Sequence, residues 1–197
     1  MKPSSNFTEI VEAILFVSSR PVSVKQITEA VEGLSTVMVR ECVKKLNRDY
    51  EKTGRVFRIE TIGDGYQMRT LVQYREWVVK SDESKTIKLS PAMMETLSIV
   101  AYKQPSTRAQ IEQIRGVDCS YSLRTLLQKK LIKIVGREQV PGRPSLYGTS
   151  KLFLEVFGLK DMKSLPSLNE LGMADNESTQ MELPLNVEPE SATTPET

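Results

Sequence analysis

The chain has 197 residues, with 27 Lys and Arg, 25 Asp and Glu, two Cys and no His. This length allows one domain or two small ones, and 39% hydrophobic with 26% charged residues is an ordinary globular balance. The missing histidine excludes Ser-His-Asp and Cys-His catalysis and every His-containing metal site.

The first helix is expected over Phe7 to Val17, where Phe7, Ile10, Val11, Ile14 and Leu15 form one apolar stripe. Ser18-Ser-Arg-Pro21 stops it. Ser23 caps a second helix, with Gln26 at N3 as a capping box, running to about Glu32 and ended by Gly33. Ser35 caps a third, to about Lys52, with Val39, Cys42, Val43, Leu46 and Tyr50 as its stripe. Arg55–Thr61 and Tyr66–Leu71 read as strands joined at Gly63-Asp-Gly65, where Asp-Gly would supply the positive φ. Trp77, Val78 and Val79 are expected to close this unit with a short helix.

Residues 81–89 are polar, without helical period, and read as a linker. Ser90-Pro91 then gives a cap followed by proline at N1, and that helix runs to about Tyr102 with Met94, Leu97 and Ala101. Thr107 and Gln110 form a second capping box, and the helix they start ends at Gly116. A further helix follows over Ser120 to Lys129, carrying Leu123, Leu126 and Leu127. Strands are expected at Leu131–Arg137 and Leu146–Thr149.

Pro21 to Ala30 aligns with Pro105 to Ile114 at an offset of 84: proline, hydroxyl cap, N3 glutamine and the next isoleucine all match. A repeat is the most informative feature of such a chain. Each copy reads as helix, capped helix, helix and two-stranded ribbon, which is the winged-helix order. The expected fold class is therefore mainly α with small β ribbons (α+β): two tandem winged-helix domains and a disordered acidic C-terminal tail. The domains are 1–80 and 90–168, the linker 81–89 and the tail 169–197.

Residues 172–197 carry six acids and no Lys or Arg, leaving 27 basic and 19 acidic groups elsewhere. Three prolines and no aromatic residue lie in this stretch, so it cannot bury enough apolar surface to offset its ordering entropy. Its apolar patch, Met181-Glu-Leu-Pro-Leu185, reads as plain tail, with a short docking motif as the alternative.

No catalytic, cofactor-binding or metal-binding constellation stands out. Gly63-Asp-Gly65 has two of three dinucleotide-fingerprint glycines, but between two strands rather than strand and helix. No P-loop and no S-x-x-K occur. Cys42 and Cys119 are too few for a zinc site or a disulfide framework and are expected as reduced thiols of a cytosolic protein. The longest aliphatic-aromatic run, Ala13 to Val17, falls far short of the about 20 residues of a bilayer span, so no membrane contact is expected. Residues 1–80 hold 13 basic and 10 acidic groups and residues 90–171 hold 12 and 7, a modest excess for a dedicated DNA binder. The segment from Leu152 to Leu168 has more apolar side chains than a short closing helix needs, which suggests a partner surface.

Leu89 to Val117, Gly136-Arg137, Pro141 to Thr149 and Phe153 to Leu159 resemble the signature of the segregation and condensation protein B family. Glu12-Ala-Ile-Leu-Phe16 and Gly65 to Thr70 are similar to its first domain. The resemblance covers about residues 7–168 and implies two winged-helix domains per chain. It implies a homodimer through the N-terminal ones and no catalytic activity. It also implies binding to the kleisin subunit, segregation and condensation protein A, and through it to SMC ATPase heads, with DNA touched indirectly or weakly. The role would be chromosome condensation and partition in the cytoplasm, at the nucleoid.

On this basis Tyr121, Leu123, Arg124, Leu127, Leu152, Phe153 and Phe157 are the expected partner-binding residues, and Phe7, Ile10, Ile14, Phe16 and Val17 the dimerisation residues. The sequence departs from the family at Lys130, where a glycine is usual and a differently shaped turn is expected. Asp118-Cys-Ser-Tyr121 is also atypical, so kleisin binding is expected to differ in detail. The alternative reading is a winged-helix DNA-binding transcription regulator.

Overall fold

A computed structural model describes residues 7–81, 86–167 and 183–184. The architecture is mixed α+β, with helices packed on small antiparallel sheets. The N-terminal half contains α1 (Phe7–Val17), β1 (Val22–Ser23), α2 (Val24–Ala30), α3 (Thr36–Lys52), β2 (Phe57–Ile62), β3 (Gly65–Thr70) and α4 (Arg75–Ser81). After β4 (Thr86–Ile87), the C-terminal half repeats the order with α5 (Pro91–Lys103), β5 (Ser106–Thr107), α6 (Arg108–Arg115), α7 (Ser120–Gln128), β6 (Ile132–Arg137) and β7 (Ser145–Thr149). It is completed by α8 (Lys151–Phe157), and the tail contributes β8 (Leu183–Pro184).

The repeat has a physical form. In each half a two-residue strand adds to the hairpin, giving the sheet orders β1-β3-β2 and β5-β7-β6. The last residue of that short strand is also the next helix's cap. Ser23 Oγ accepts from Gln26 N at 3.2 Å while Gln26 Oε1 accepts from Ser23 N at 2.9 Å. Thr107 and Gln110 repeat this with 3.3 and 2.8 Å. Two hydrophobic clusters result, one centred on Val11, Ile27, Val39 and Leu46, the other on Leu97, Ile111, Leu126 and Leu131.

Four expectations need correction. Helix α2 ends at Ala30 rather than Glu32, because Val31 turns extended to reach the core. The positive φ of the first hairpin belongs to Gly63 (+53°) and not to Asp-Gly. Gly65 serves a different need: a Cβ there would lie 2.5 Å from Val22 O, so only hydrogen lets β1 approach β3. Helix α4 forms but closes nothing, since it buries no residue and Trp77 is 65% exposed. The linker is not free of structure: Thr86 and Ile87 pair with Pro184 and Leu183, and Ile87 and Leu89 pack on the second cluster. The expected disorder of the tail otherwise lies outside the described residues.

The turn before β6 is left-handed after all. Lys130 takes φ +56°, with its N–H donating to Leu127 O and the Leu131 N–H to Leu126 O. The last helical carbonyls are thereby satisfied, at the expense of a conformation that L-residues avoid.

The halves meet where the β2–β3 turn touches α8 and the residues after it. Gly63 N donates to Leu159 O at 3.1 Å. Arg69 donates to the Glu155 carbonyl and to Gln67. Lys151 and Asp64 form an exposed pair at 3.5 Å. Burial lowers the affinity of the Arg69 guanidinium for its proton, and burial raises the Glu155 carboxyl, opposed by Arg20 and Arg69.

Two outcomes follow. Lys130→Gly should stabilise the chain by about 0.5–1 kcal/mol, the relief of about 1–2 kcal/mol of left-handed strain outweighing about 0.4–1 kcal/mol of added unfolded-state entropy. A urea midpoint that stays level or falls would show that Lys130 is held by contacts glycine cannot replace. Arg69→Ala should loosen the junction by about 1.5–3 kcal/mol, the usual worth of a hydrogen bond to a charged group. Small-angle scattering should then report a larger radius of gyration, and an unchanged radius would show that the remaining contacts suffice.

Candidate partner-binding surfaces

The α6–α7 corner is built by one charged network. Arg108 bridges Glu112 and Asp118, each at 2.7 Å. Glu112 Oε1 accepts from the Cys119 N–H at 3.1 Å. Cys119 occupies the cap of α7 without a side-chain cap bond, and Asp118 compensates by accepting from Ser120 N at 3.1 Å and Ser120 Oγ at 2.8 Å. Those Ser120 bonds, and then the Arg108 charge, hold the Asp118 carboxyl below its ordinary value. Burial, reinforced by Glu112, pushes the Cys119 thiol up to about 11, so it stays protonated near neutral pH. The atypical Asp118–Tyr121 loop is therefore a rigid corner.

That corner presents Tyr121, which is 72% exposed. Arg124 and Gln128 follow it at helical spacing and are also exposed, so they form the outer stripe of α7. Ile114 and Val117, on either side of the end of α6, are exposed apolar neighbours in sequence that the sequence reading passed over. The repeat could have pointed to another: Val37, at the offset of 84 from Tyr121, is likewise exposed at the start of α3.

The other expected partner residues divide by burial. Leu123 and Phe153, each 2% exposed, are core residues and cannot offer a surface. Leu127, Leu152 and Phe157 are half-buried and pack against the second cluster, as do Leu154, Leu159, Met162 and Leu165. The surplus apolar segment after the second ribbon is thus mostly spent on its own core. Phe153 and Phe157 pack with tilted rings, their centroids 4.6 Å apart. Leu152 alone among the expected residues also lines the cavity between the halves.

The expected dimerisation residues divide in the same way. Phe7, Ile10 and Ile14 pack against the first cluster around the buried Val11 and Leu15. Phe16 and Val17 point away, 77% and 81% exposed. Val72, Trp77 and Val78 add exposed apolar surface in the same half. The basic residues of α3 offer less than their number suggests, because Lys44 is paired with Glu41 at 2.9 Å. Among the described residues, no cluster of three or more His, Cys, Asp or Glu could hold a metal, and no helix is long and apolar enough to cross a membrane.

The model of the family described as segregation and condensation complex subunit ScpB matches residues 9–168. A segregation and condensation protein B of Clostridium tetani is 46% identical over 168 residues, covering 84% of this chain and 87% of the relative. One from Syntrophotalea carbinolica is 41% identical over 172 residues, covering 87% of each. Among solved structures, ScpB from Mycobacterium tuberculosis is 31% identical, covers 78% of this chain and 95% of its own, and superposes with a TM-score of 0.36. On the family match and these identities, the chain belongs to the ScpB family of segregation and condensation complex subunits.

Proposed function

We propose that this chain is a non-catalytic subunit of a condensin-like SMC–kleisin complex, acting at the nucleoid in chromosome condensation and partition. Each half is read as a winged-helix domain, 1–80 and 90–168, with the three-helix and ribbon order of both halves as support. The N-terminal domains form a homodimer, and the C-terminal domain supplies most of the contact to the kleisin. The family match over residues 9–168 is the observation that carries this reading.

The geometry narrows the residues. A partner surface needs exposed apolar anchors on rigid backbone, because ordering a mobile side chain costs affinity. Tyr121 meets that need: it is exposed, amphipathic and fixed by the Arg108–Asp118 corner. Arg124, one turn further along α7, is the neighbour best suited to extend it, and the half-buried Leu152 on α8 is a second, separate candidate. An amphipathic kleisin helix would lay its apolar face against this surface. Phe16 and Val17 are the corresponding candidates for the dimer contact, which needs about 1,200–2,000 Å² in total.

Calorimetry of the full chain with its kleisin tests the first contact. Tyr121→Ala should weaken binding about 30-fold, the equivalent of a 2 kcal/mol hot spot, with the melting temperature unchanged. Binding within twofold of the parent chain would place the kleisin elsewhere. Light scattering tests the second: Phe16→Asp with Val17→Asp should yield monomers, and a retained dimer would move the contact off α1. A DNA regulator would instead lose about 10³–10⁵ in DNA affinity between 50 and 200 mM salt, a response an apolar kleisin contact would not share.

A further inference from the structure

Strand β8 comes from the acidic end of the chain and returns to its middle. Leu183 pairs with Ile87 and Pro184 with Thr86, antiparallel, and the strand also lies against α8. Ile87 packs on the second hydrophobic cluster and lines the cavity between the halves, so β4 is anchored to the body. That cavity measures about 1320 Å³. Among the described residues five bases line it, Arg20, Lys129, Lys130, Lys151 and Lys160, against three acids. The segment that carries β8 holds six acids and no base over residues 172–197.

We propose that this cavity is a docking site for an extended acidic segment, and that its occupant is the chain's own residues 181–190. Addition of a strand to an exposed edge gives affinity through main-chain hydrogen bonds, and β4 offers such an edge. Pro184 has no N–H to donate, which keeps the pairing short. Backbone pairing alone therefore holds the segment weakly. The excess of bases around the cavity supplies the second attraction, for Glu182, Glu188 and Glu190. The two act together: the pairing sets the register, and charge raises the local concentration of the segment. The proposal stands independently of the kleisin reading, since it needs no partner.

Hydrogen–deuterium exchange on the full chain tests it. Two variants remove one attraction each without touching either core. Leu183→Pro deletes the amide of the paired residue, and Glu182→Lys with Glu188→Lys and Glu190→Lys reverses the charge. In the parent chain, amides of residues 86–90 should exchange about tenfold more slowly than in either variant, corresponding to about 1.4 kcal/mol of docking. Raising the salt from about 50 to 200 mM should erode that protection, because the Debye length shrinks below the reach of the cavity charges. Protection should not vary with protein concentration. Either variant keeping the parent's protection would overturn the proposal. So would protection that grows with concentration, which would assign the strand to a second copy of the chain.

Discussion

Each half depends on a single joint, where one residue ends a strand and begins a helix. Ser23 and Thr107 pair with the hairpin through their backbones and cap α2 and α6 through their side chains. The joint couples the helices to the sheet with almost no intervening chain, so the second helix cannot rotate without breaking the sheet. It also explains Gly65, whose missing side chain admits the Val22 carbonyl. The second half solves the same approach differently. Leu146 stands opposite Thr107, and the tightest glycine contact moves to Gly148, where a Cβ would lie 2.9 Å from Gln104 Oε1. That same Gln104 oxygen accepts from Thr149 N at 2.7 Å, so the glycine makes room for a hydrogen bond that ties α5 to β7.

The junction between the halves is made mainly by backbone groups. The Gly63 N–H and the Glu155 and Leu159 carbonyls are contact points, and the long Arg69 side chain reaches across to one of those carbonyls. Such a junction is polar, and it leaves a wide cavity beside it in whose lining bases outnumber acids among the described residues. An arrangement of this kind holds two halves in register without a dry interface. Inter-domain contacts in general are more polar than obligate subunit interfaces, which leaves relative motion as the default.

Competition for apolar side chains decides what remains for a partner. The C-terminal half has a small three-helix core, and it draws in Leu123, Phe153 and most of the segment after its ribbon. What stays outside is a set at the α6–α7 corner, with Tyr121 as its largest member, together with Ile134, Val135 and Val140 in and after β6. In the N-terminal half the balance differs, because α1 fills its side of the core with Val11 and Leu15 and still has Phe16 and Val17 left over. Exposed apolar side chains are therefore found at the last turn of α1 and the first turns of α3 and α7, and also around α4 and along β6.

The sequence by itself determined most of the helix starts and ends, though not those of α4 and α8, both capping boxes, the repeat and the family. All of these are local or additive. A cap is decided within four residues, a glycine stop by one, and the stripes Val39-Cys42-Val43-Leu46 and Leu123-Leu126 by a period of 3.6. Only the tertiary structure decided which apolar residues face solvent. Leu123 and Tyr121 are two positions apart on one helix, yet one is core and the other surface, because α5 and β6 cover only one side of α7. Tertiary packing also gave Lys130 a left-handed turn, since Leu126 and Leu131 must both enter the core and the chain has one residue left in which to reverse. The pairing of β4 with β8 lay beyond sequence reasoning for the same reason. Two residues of strand carry no period, and their partner stands almost a hundred positions away.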